Sequence, residues 1–382
     1  MEDYGKFPGI YVHVPFCRRK CPYCDFYSIT DTNWLPAYFD ALMGEIRMAP
    51  QPPGPYDTVY IGGGTPSLLT ARQIESLLEA LFKQFEIAGA AEITLEVNPG
   101  TVSAEGLKRY RAAGINRLNI GVQSFNDDML RFLGRIHSGE KAGETIRRAR
   151  AAGYDNIGLD LIYGLPGQST KAWHRDLCLA MDFLPAHLSC YLLTYAPGTP
   201  LAEQMNRNRF TPLDEETRRE MFLFTHDFLL GRGYEHYEIS NFAWPEAGRS
   251  RHNQKYWRHA PYIGLGPAAH SYFNHRRHWN VSSVKQYGDC IISGKLPVEA
   301  SEDLSVEQEM MEAVFLGLRC SEGICIDLFE TRFGINFHTR FHDVLSRYQA
   351  AGYLSLAGGH CALTRNGFLY ADSIAEALIQ WI

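Results

Sequence analysis

Residues 10–24 read Ile-Tyr-Val-His-Val-Pro-Phe-Cys-Arg-Arg-Lys-Cys-Pro-Tyr-Cys, a run of β-branched and aromatic residues that breaks at proline into a loop with three cysteines. The run 10–14 reads as a buried strand with the cysteines at its carboxyl end. The same strand signature recurs at 58–61, 92–97, 117–122, 156–162 and 187–193. Helical stretches lie between. In 71–85, Ile74, Leu77, Leu78, Leu81 and Phe82 fall on one stripe, and 103–113 opens on Ser103 as an N-cap. Parallel neighbours need a crossover helix, and right-handed crossovers curl the sheet round on itself. The expected fold is α/β, an incomplete (β/α)6 barrel whose chemistry sits at the carboxyl ends of its strands.

Polar residues and glycines punctuate those ends. They are Gly62-Gly63-Gly64-Thr65-Pro66, Glu96-Val97-Asn98-Pro99, Gly121-Val122-Gln123-Ser124 and Asp160-Leu161-Ile162-Tyr163-Gly164-Leu165-Pro166. A barrel serving structure alone does not require them.

The bulk numbers fit this picture. With 382 residues and 45% hydrophobic content the chain buries a large core. A net charge of -6 gives no general attraction to nucleic acid or anionic lipid. The first residues lack a basic start followed by an apolar stretch, and no apolar run approaches the roughly 18 to 20 residues that span a bilayer, which points to a cytoplasmic protein. Of nine cysteines, Cys178, Cys190, Cys290, Cys320, Cys325 and Cys361 are scattered among apolar neighbours and read as small buried hydrophobes.

A barrel over 1–245 is expected to be followed by a connecting region over 246–300 and a C-terminal domain over 301–382. A helix over about 214–230 leads into 234–242, and then periodicity lapses through a His-, Arg- and aromatic-rich stretch at 249–279. Helices near 306–318, 326–333 and 341–351, with a hairpin over 353–364, suggest a small winged-helix-like domain. Its 11 acidic and 5 basic side chains repel phosphate, so no nucleic-acid partner is expected.

Zinc sites usually close with four N or S ligands in paired knuckles, whereas here one loop brings three thiols. On a 4Fe-4S cluster, three thiolates leave one iron open to an outside ligand. The amino and carboxylate groups of S-adenosylmethionine can chelate such an iron, and an electron passed through the cluster then cleaves the sulfonium bond to a 5′-deoxyadenosyl radical.

The pattern Tyr11-x-His13-x-Pro15-Phe16-Cys17-x3-Cys21-x-Tyr23-Cys24 resembles the radical SAM superfamily, specifically its coproporphyrinogen III dehydrogenase-like branch, over essentially the whole chain. The resemblance implies that Cys17, Cys21 and Cys24 hold the 4Fe-4S cluster and that Gly63, Gly64 and Thr65 approach the amino group of S-adenosylmethionine. It further implies that Glu96 and Gln123 bind the methionine or ribose side, that Arg135 meets the carboxylate and that Asp160 lies near the ribose or adenine. Tyr11 and Tyr23 are expected to contact the cofactor or to pack around the cluster.

Two members of that branch compete, an enzyme and a carrier. The oxygen-independent dehydrogenases decarboxylate two propionates and carry C-x3-C-x2-C-x-C, where this chain has Phe26 in place of the last cysteine. They also fold a longer N-terminal segment over the substrate, whereas sixteen residues precede Cys17 here. The heme chaperones of the HemW family carry HNxxYW, matched by His252-Asn253-Gln254-Lys255-Tyr256-Trp257. Imidazole ligates heme iron, aromatic faces stack on porphyrin and arginines pair with propionates. Five of fourteen histidines (His252, His259, His270, His275, His278) lie in 249–279 among five arginines. The preferred reading is a heme chaperone with His252 as a heme-binding residue, although the motif residues could equally pack the barrel floor or anchor the second domain. The alternatives are the dehydrogenase and a radical SAM enzyme acting on an unrelated small molecule, so the cofactor site alone does not decide whether the chain is an enzyme.

The chaperone resemblance implies heme-acceptor proteins as partners, membrane-bound respiratory enzymes among them, and a peripheral association with the inner membrane. It implies a ferredoxin, flavodoxin or bacterioferritin as electron or heme donor. An exposed porphyrin-sized groove would also suit a homodimer.

Overall fold

The structure is a computed structural model and describes residues 7–50, 54–245 and 248–382. Six strands run side by side and parallel: β1 (Gly9–Val14), β2 (Tyr56–Gly63), β3 (Ile87–Val97), β4 (Arg117–Gln123), β5 (Asn156–Tyr163) and β6 (His187–Leu192). They are buried along almost their whole length because helices cover their outer face, as parallel sheets require. The crossover helices begin where the sequence marks them. Ala71–Gln84 starts on a reciprocal Thr70/Gln73 capping box and buries Ile74, Leu77, Leu78 and Leu81, and Ala104–Ala113 is capped by Ser103. Phe82 stays exposed at the edge of that stripe.

The barrel is open, as expected of an incomplete (β/α)6 fold. On one edge β6 pairs antiparallel with β8 (Asn241–Ala243), which pairs with β7 (Glu235–Glu238). On the other, β1 takes β9 (Tyr262–Leu265) in parallel, followed by antiparallel β10 (His270–Phe273), β11 (Arg276–Asn280) and β12 (Val298–Asp303). The stretch expected as a connecting region over 246–300 thus contributes strands to the same twelve-stranded sheet. Its pattern escaped the sequence reading for a physical reason. The strands are four or five residues long and carry His and Arg on partly exposed faces, and the helix before them, Arg251–Trp257, has only seven residues. Buried Glu45 on the Leu35–Met48 helix ties this extension to the barrel, accepting from Gly266 N–H at 2.7 Å, Asn280 Nδ2 at 2.6 Å and Tyr287 OH at 2.5 Å.

The C-terminal part has a separate core around Val314, Leu318, Phe329, Phe337, Phe341 and Ile374. Helices Val306–Arg319, Ile326–Phe333 and His342–Ala350 precede the hairpin of β14 (Leu354–Ala357) and β15 (His360–Leu363), whose edge takes the two-residue strand β13 (Ile324–Cys325). This is the winged-helix-like arrangement expected, except that the helix expected over 341–351 is preceded by a distinct turn of helix, Phe337–Arg340. No helix among the described residues is long and apolar enough to cross a membrane.

Candidate functional site

The cysteine loop springs from the carboxyl end of β1 and is pinned back onto it. Cys17 N–H donates to Ile29 O at 2.9 Å, Ile29 N–H to Pro15 O at 2.8 Å and Cys24 N–H to Cys21 O at 3.1 Å. All three thiols are half-buried, and burial raises the Cys24 pKa. Among the described residues no three His, Cys, Asp or Glu side chains converge on the position of a single metal ion. Three thiols spaced along a loop suit a cluster in which separate irons each take one thiolate better than they suit mononuclear zinc. Among their neighbours are Thr65, with Oγ1 at 3.6 Å from Cys17 Sγ, Arg135, with Nη1 at 3.6 Å from Cys21 Sγ, and the Tyr23 hydroxyl beside Cys21.

The register sets what lies beside the loop. His13 and Val14 of β1 pair with Gly62 and Gly63 of β2, so the glycine run lies alongside the loop's root. Gly63 has φ +110°, and a Cβ there would meet the His13 ring at 2.7 Å. A Cβ on Gly64 would lie 2.7 Å from Phe16 O, while its N–H donates to Val14 O at 2.9 Å. The approach that demands glycine at position 64 is therefore to the chain's own backbone.

Arg135, Asn98 and Gln123 meet over Gly121. Arg135 Nη2 donates to Asn98 Oδ1 at 2.5 Å and to Gly121 O at 2.8 Å, and Asn98 Nδ2 donates to Thr65 Oγ1 at 2.7 Å. A Cβ on Gly121 would lie 2.9 Å from both Asn98 Oδ1 and Gln123 Nε2. Gln123 follows a register shift between β4 and β5 and takes φ +67°, which turns it inward. Tyr23 is half-buried beside Arg135 and Cys21, and desolvation pushes its phenol up. Asn98 was not singled out from the sequence as a site residue, yet period-2 alternation along Glu96-Val97-Asn98 puts it on the face of Glu96.

Two half-buried carboxyls line the cavity. Glu96 accepts from Tyr60 OH at 2.8 Å and Gly63 N–H at 3.1 Å, and burial lifts its pKa to about 7. Asp160 Oδ2 accepts from Asn119 Nδ2 at 2.7 Å, while its Oδ1 has no hydrogen-bond partner among the described residues. The Ser189 hydroxyl stands beside the same carboxyl and, with Asn119, favours its charged form, an acceptor for a ligand hydroxyl. Tyr11 OH is bonded to His13 Nδ1 at 2.9 Å, and its ring faces the same space.

These groups share one cavity of about 1770 Å³. Tyr23, Cys24, Gly63, Gly64 and Thr65 line its mouth, and Glu96, Gln123, Arg135 and Asp160 line its wall. Phe368, Tyr370 and Ser373 of the C-terminal domain border it as well, and its far end runs to Tyr256, Tyr262 and His270.

His252, expected as a heme-binding residue, also lines that cavity. It is 1% exposed, with Nδ1 at 2.9 Å from Thr58 Oγ1 and Nε2 at 2.9 Å from Tyr256 OH, so ligation of iron would require one of these two contacts to open. Its neighbours explain the HNxxYW helix as a plug in the barrel floor. His252 N–H donates to Glu92 Oε1 at 3.1 Å, its ring stacks on Tyr60 at 5.2 Å, and Lys255 Nζ pairs with Asp57 at 2.5 Å. Burial, with Lys255 and Arg117 adding to it, pushes the imidazole pKa down to about 3.

Comparison with known proteins agrees with this architecture. The Radical SAM superfamily model matches residues 11–177, and the HemN C-terminal domain model matches residues 304–370. The heme chaperone HemW of Bacillus subtilis is 34% identical, with 97% of this chain aligned to 98% of that protein. HemW of Escherichia coli is 32% identical, also over 97% of this chain and 98% of that protein. In fold the chain is similar to coproporphyrinogen III oxidase HemN of Escherichia coli, a radical SAM enzyme, with a TM-score of 0.85 at 24% identity over 100% of this chain and 92% of that one. A chain that aligns nearly end to end with these chaperones, and that carries their barrel and C-terminal domain, belongs to the HemW family of heme chaperones within the radical SAM superfamily.

Proposed function

We propose that this chain binds heme and hands it to acceptor hemoproteins, and that it carries a 4Fe-4S cluster on Cys17, Cys21 and Cys24 with S-adenosylmethionine on the open iron. The observation that carries the reading is the cavity of about 1770 Å³, lined both by Cys24 and its loop neighbour Tyr23 and by the aromatic side chains of Tyr60, Tyr256 and Tyr262. Cofactor pockets ordinarily occupy roughly 300–1,000 Å³, so this one has room for a nucleoside cofactor and a second, larger ligand.

When bound, the cluster and S-adenosylmethionine supply one-electron chemistry. The chain's own residues do the holding. Arg135 sets a half-buried positive charge beside Cys21 and within reach of a carboxylate, and Thr65 donates toward Cys17. Asp160 Oδ1 accepts from a ribose hydroxyl, Glu96 and Gln123 face the methionine or ribose side, and the backbone of Gly63 and Gly64 lies alongside the amino group. Tyr23, beside Cys21, excludes water from the cluster side, and Tyr11, stacked on Tyr60 and His252, faces the inner cavity.

Acceptor hemoproteins, membrane-bound respiratory enzymes included, and a ferredoxin, flavodoxin or bacterioferritin as donor complete the proposal. It also takes in a cytoplasmic protein touching the inner membrane and a homodimeric form. The second reading is the dehydrogenase, which the likeness in fold to HemN favours. Phe26, 63% exposed where that branch carries a cysteine, argues against it. Anaerobic reconstitution tests the two together. The proposal expects about four irons per chain, heme binding, and no protoporphyrinogen from coproporphyrinogen III with reductant and S-adenosylmethionine. Decarboxylation that disappears in Cys21→Ala would make the chain the enzyme instead.

A further inference from the structure

The cysteine loop has two faces. Tyr23 and Cys24 line the large cavity, whereas Arg18, Arg19 and Lys20, the residues between the first two cysteines, are exposed to solvent. None of these three makes an ion pair or a side-chain hydrogen bond among the described residues. Exposed cations elsewhere, such as Arg109, Arg131, Arg219 and Lys285, each sit against a carboxylate. Positions 17–26 hold the three cations against one anion, Asp25, in a chain whose net charge is -6. Like charges in a row repel one another, so the reason for the patch lies outside the chain.

The fold holds this face in place. Pro22 O accepts from Leu201 N–H at 2.8 Å, and a Cβ on Gly134 would meet Pro22 Cδ at 2.6 Å, so the 134–136 stretch packs against the loop. Ile136, directly after Arg135, is 57% exposed and sets an apolar spot beside the cations. The charge is also felt at a cluster cysteine, since burial raises the Cys24 pKa and Lys20 works against it.

We infer that the basic face of the cysteine loop is the docking site of a small acidic one-electron carrier protein, which passes its electron to the cluster across the 18–20 segment. The inference rests on the cluster reading above and gives its electron donor a surface. One electron leaves the reduced carrier, which is oxidised, and enters the cluster, which is reduced by that electron. No bond forms or breaks, and the oxidised carrier departs. Arg18 follows Cys17 and Lys20 precedes Cys21, so a carrier seated here approaches two thiolates without entering the cavity. Opposite charge speeds such encounters by about 10–1,000-fold. Electron-transfer contacts bury less than about 1,200 Å², which suits one loop and its neighbouring stretch. An anionic lipid surface would meet the same charges, and their place between two cluster cysteines is what favours a carrier.

The test follows reduction of the full-length reconstituted protein by stopped flow. Reduced plant-type ferredoxin is the acidic carrier, and reduced methyl viologen is a small cationic reductant for comparison. With ferredoxin the second-order rate is expected to fall steeply between about 0.05 M and about 0.5 M salt. A rate that is flat or rises with salt would overturn the inference, and this arm needs no variant. The triple variant Arg18→Gln, Arg19→Gln, Lys20→Gln is expected to keep its iron and to take electrons from ferredoxin at least about tenfold more slowly at low salt. Methyl viologen should reduce it as fast as the unsubstituted protein, or faster. The double variant Arg18→Lys, Arg19→Lys keeps the charge and should keep the ferredoxin rate. Equal ferredoxin rates with and without the three cations would overturn the surface and leave the cluster reading standing. So would a ferredoxin that fails to reduce a cluster methyl viologen reduces. Binding to phosphatidylcholine–phosphatidylglycerol vesicles that is lost in the triple variant, with its ferredoxin rate unchanged, would give the patch to a lipid surface instead. Absence of a reducible iron–sulfur cluster in the unsubstituted protein would overturn both readings.

Discussion

Arg135 Nη1 lies 3.6 Å from Cys21 Sγ, and the same guanidinium donates through Nη2 to Asn98 Oδ1 and Gly121 O. One half-buried cation thus joins the cysteine loop after β1 to the ends of β3 and β4. Removing its charge leaves a thiolate-held cluster with less compensation, which makes adding an electron harder. Arg135→Gln should retain iron but shift the cluster's midpoint potential to more negative values, read by EPR-monitored redox titration. An unchanged potential would mean that the guanidinium serves only to position Asn98.

Gly64→Ala should both destabilise the fold and impair cofactor binding. Its new Cβ would press on Phe16 O at 2.7 Å, a backbone atom that cannot swing aside. Overpacking of this kind costs about 1–3 kcal/mol. Denaturant melts should report that loss, and the EPR spectrum of the reduced cluster should respond less to S-adenosylmethionine. Full stability together with a lost EPR response would shift the reason for this glycine from the backbone to the cofactor.

The barrel was legible because most of its strands carry a buried run followed by a capped, striped helix, as 58–61 followed by Thr70 and the 71–85 stripe illustrates. The cluster loop and the glycine run were legible for the same reason, since both sit at strand ends. His252 was not. Its composition matches heme chemistry, but only the fold shows that Thr58 and Tyr256, far away and four residues away in sequence, occupy its two nitrogens.

Glu96 makes cofactor binding depend on pH. With its pKa raised to about 7 by burial, it carries a proton below that pH in the free protein. A donor of the cofactor, an iron-bound amine N–H or a ribose hydroxyl, is held best by the carboxylate, so binding below about pH 7 must first expel the proton. Affinity for S-adenosylmethionine should therefore fall by up to about tenfold per pH unit below 7 and level off above it. Equilibrium dialysis between about pH 6 and about pH 8 checks the slope, which Glu96→Gln should abolish.

Glu45 should be the strongest single tie between the barrel and its β9 to β12 extension. Glu45→Ala strands the donors of Gly266, Asn280 and Tyr287 in a dry site. A loss of about 3 kcal/mol or more is expected in denaturant melts, since each buried unsatisfied donor costs about 1–3 kcal/mol. A loss below about 1 kcal/mol would show that water replaces the carboxylate.

The most direct test of the account is transfer itself. Heme-loaded, cluster-reconstituted protein is mixed anaerobically with an apo-hemoprotein, and the Soret band is followed as the acceptor's spectrum develops. The account predicts that heme moves to the acceptor faster than it dissociates into an apolar trap, with no new porphyrin formed. Heme that stays on the protein, or reaches the acceptor only at the rate of free dissociation, would contradict it.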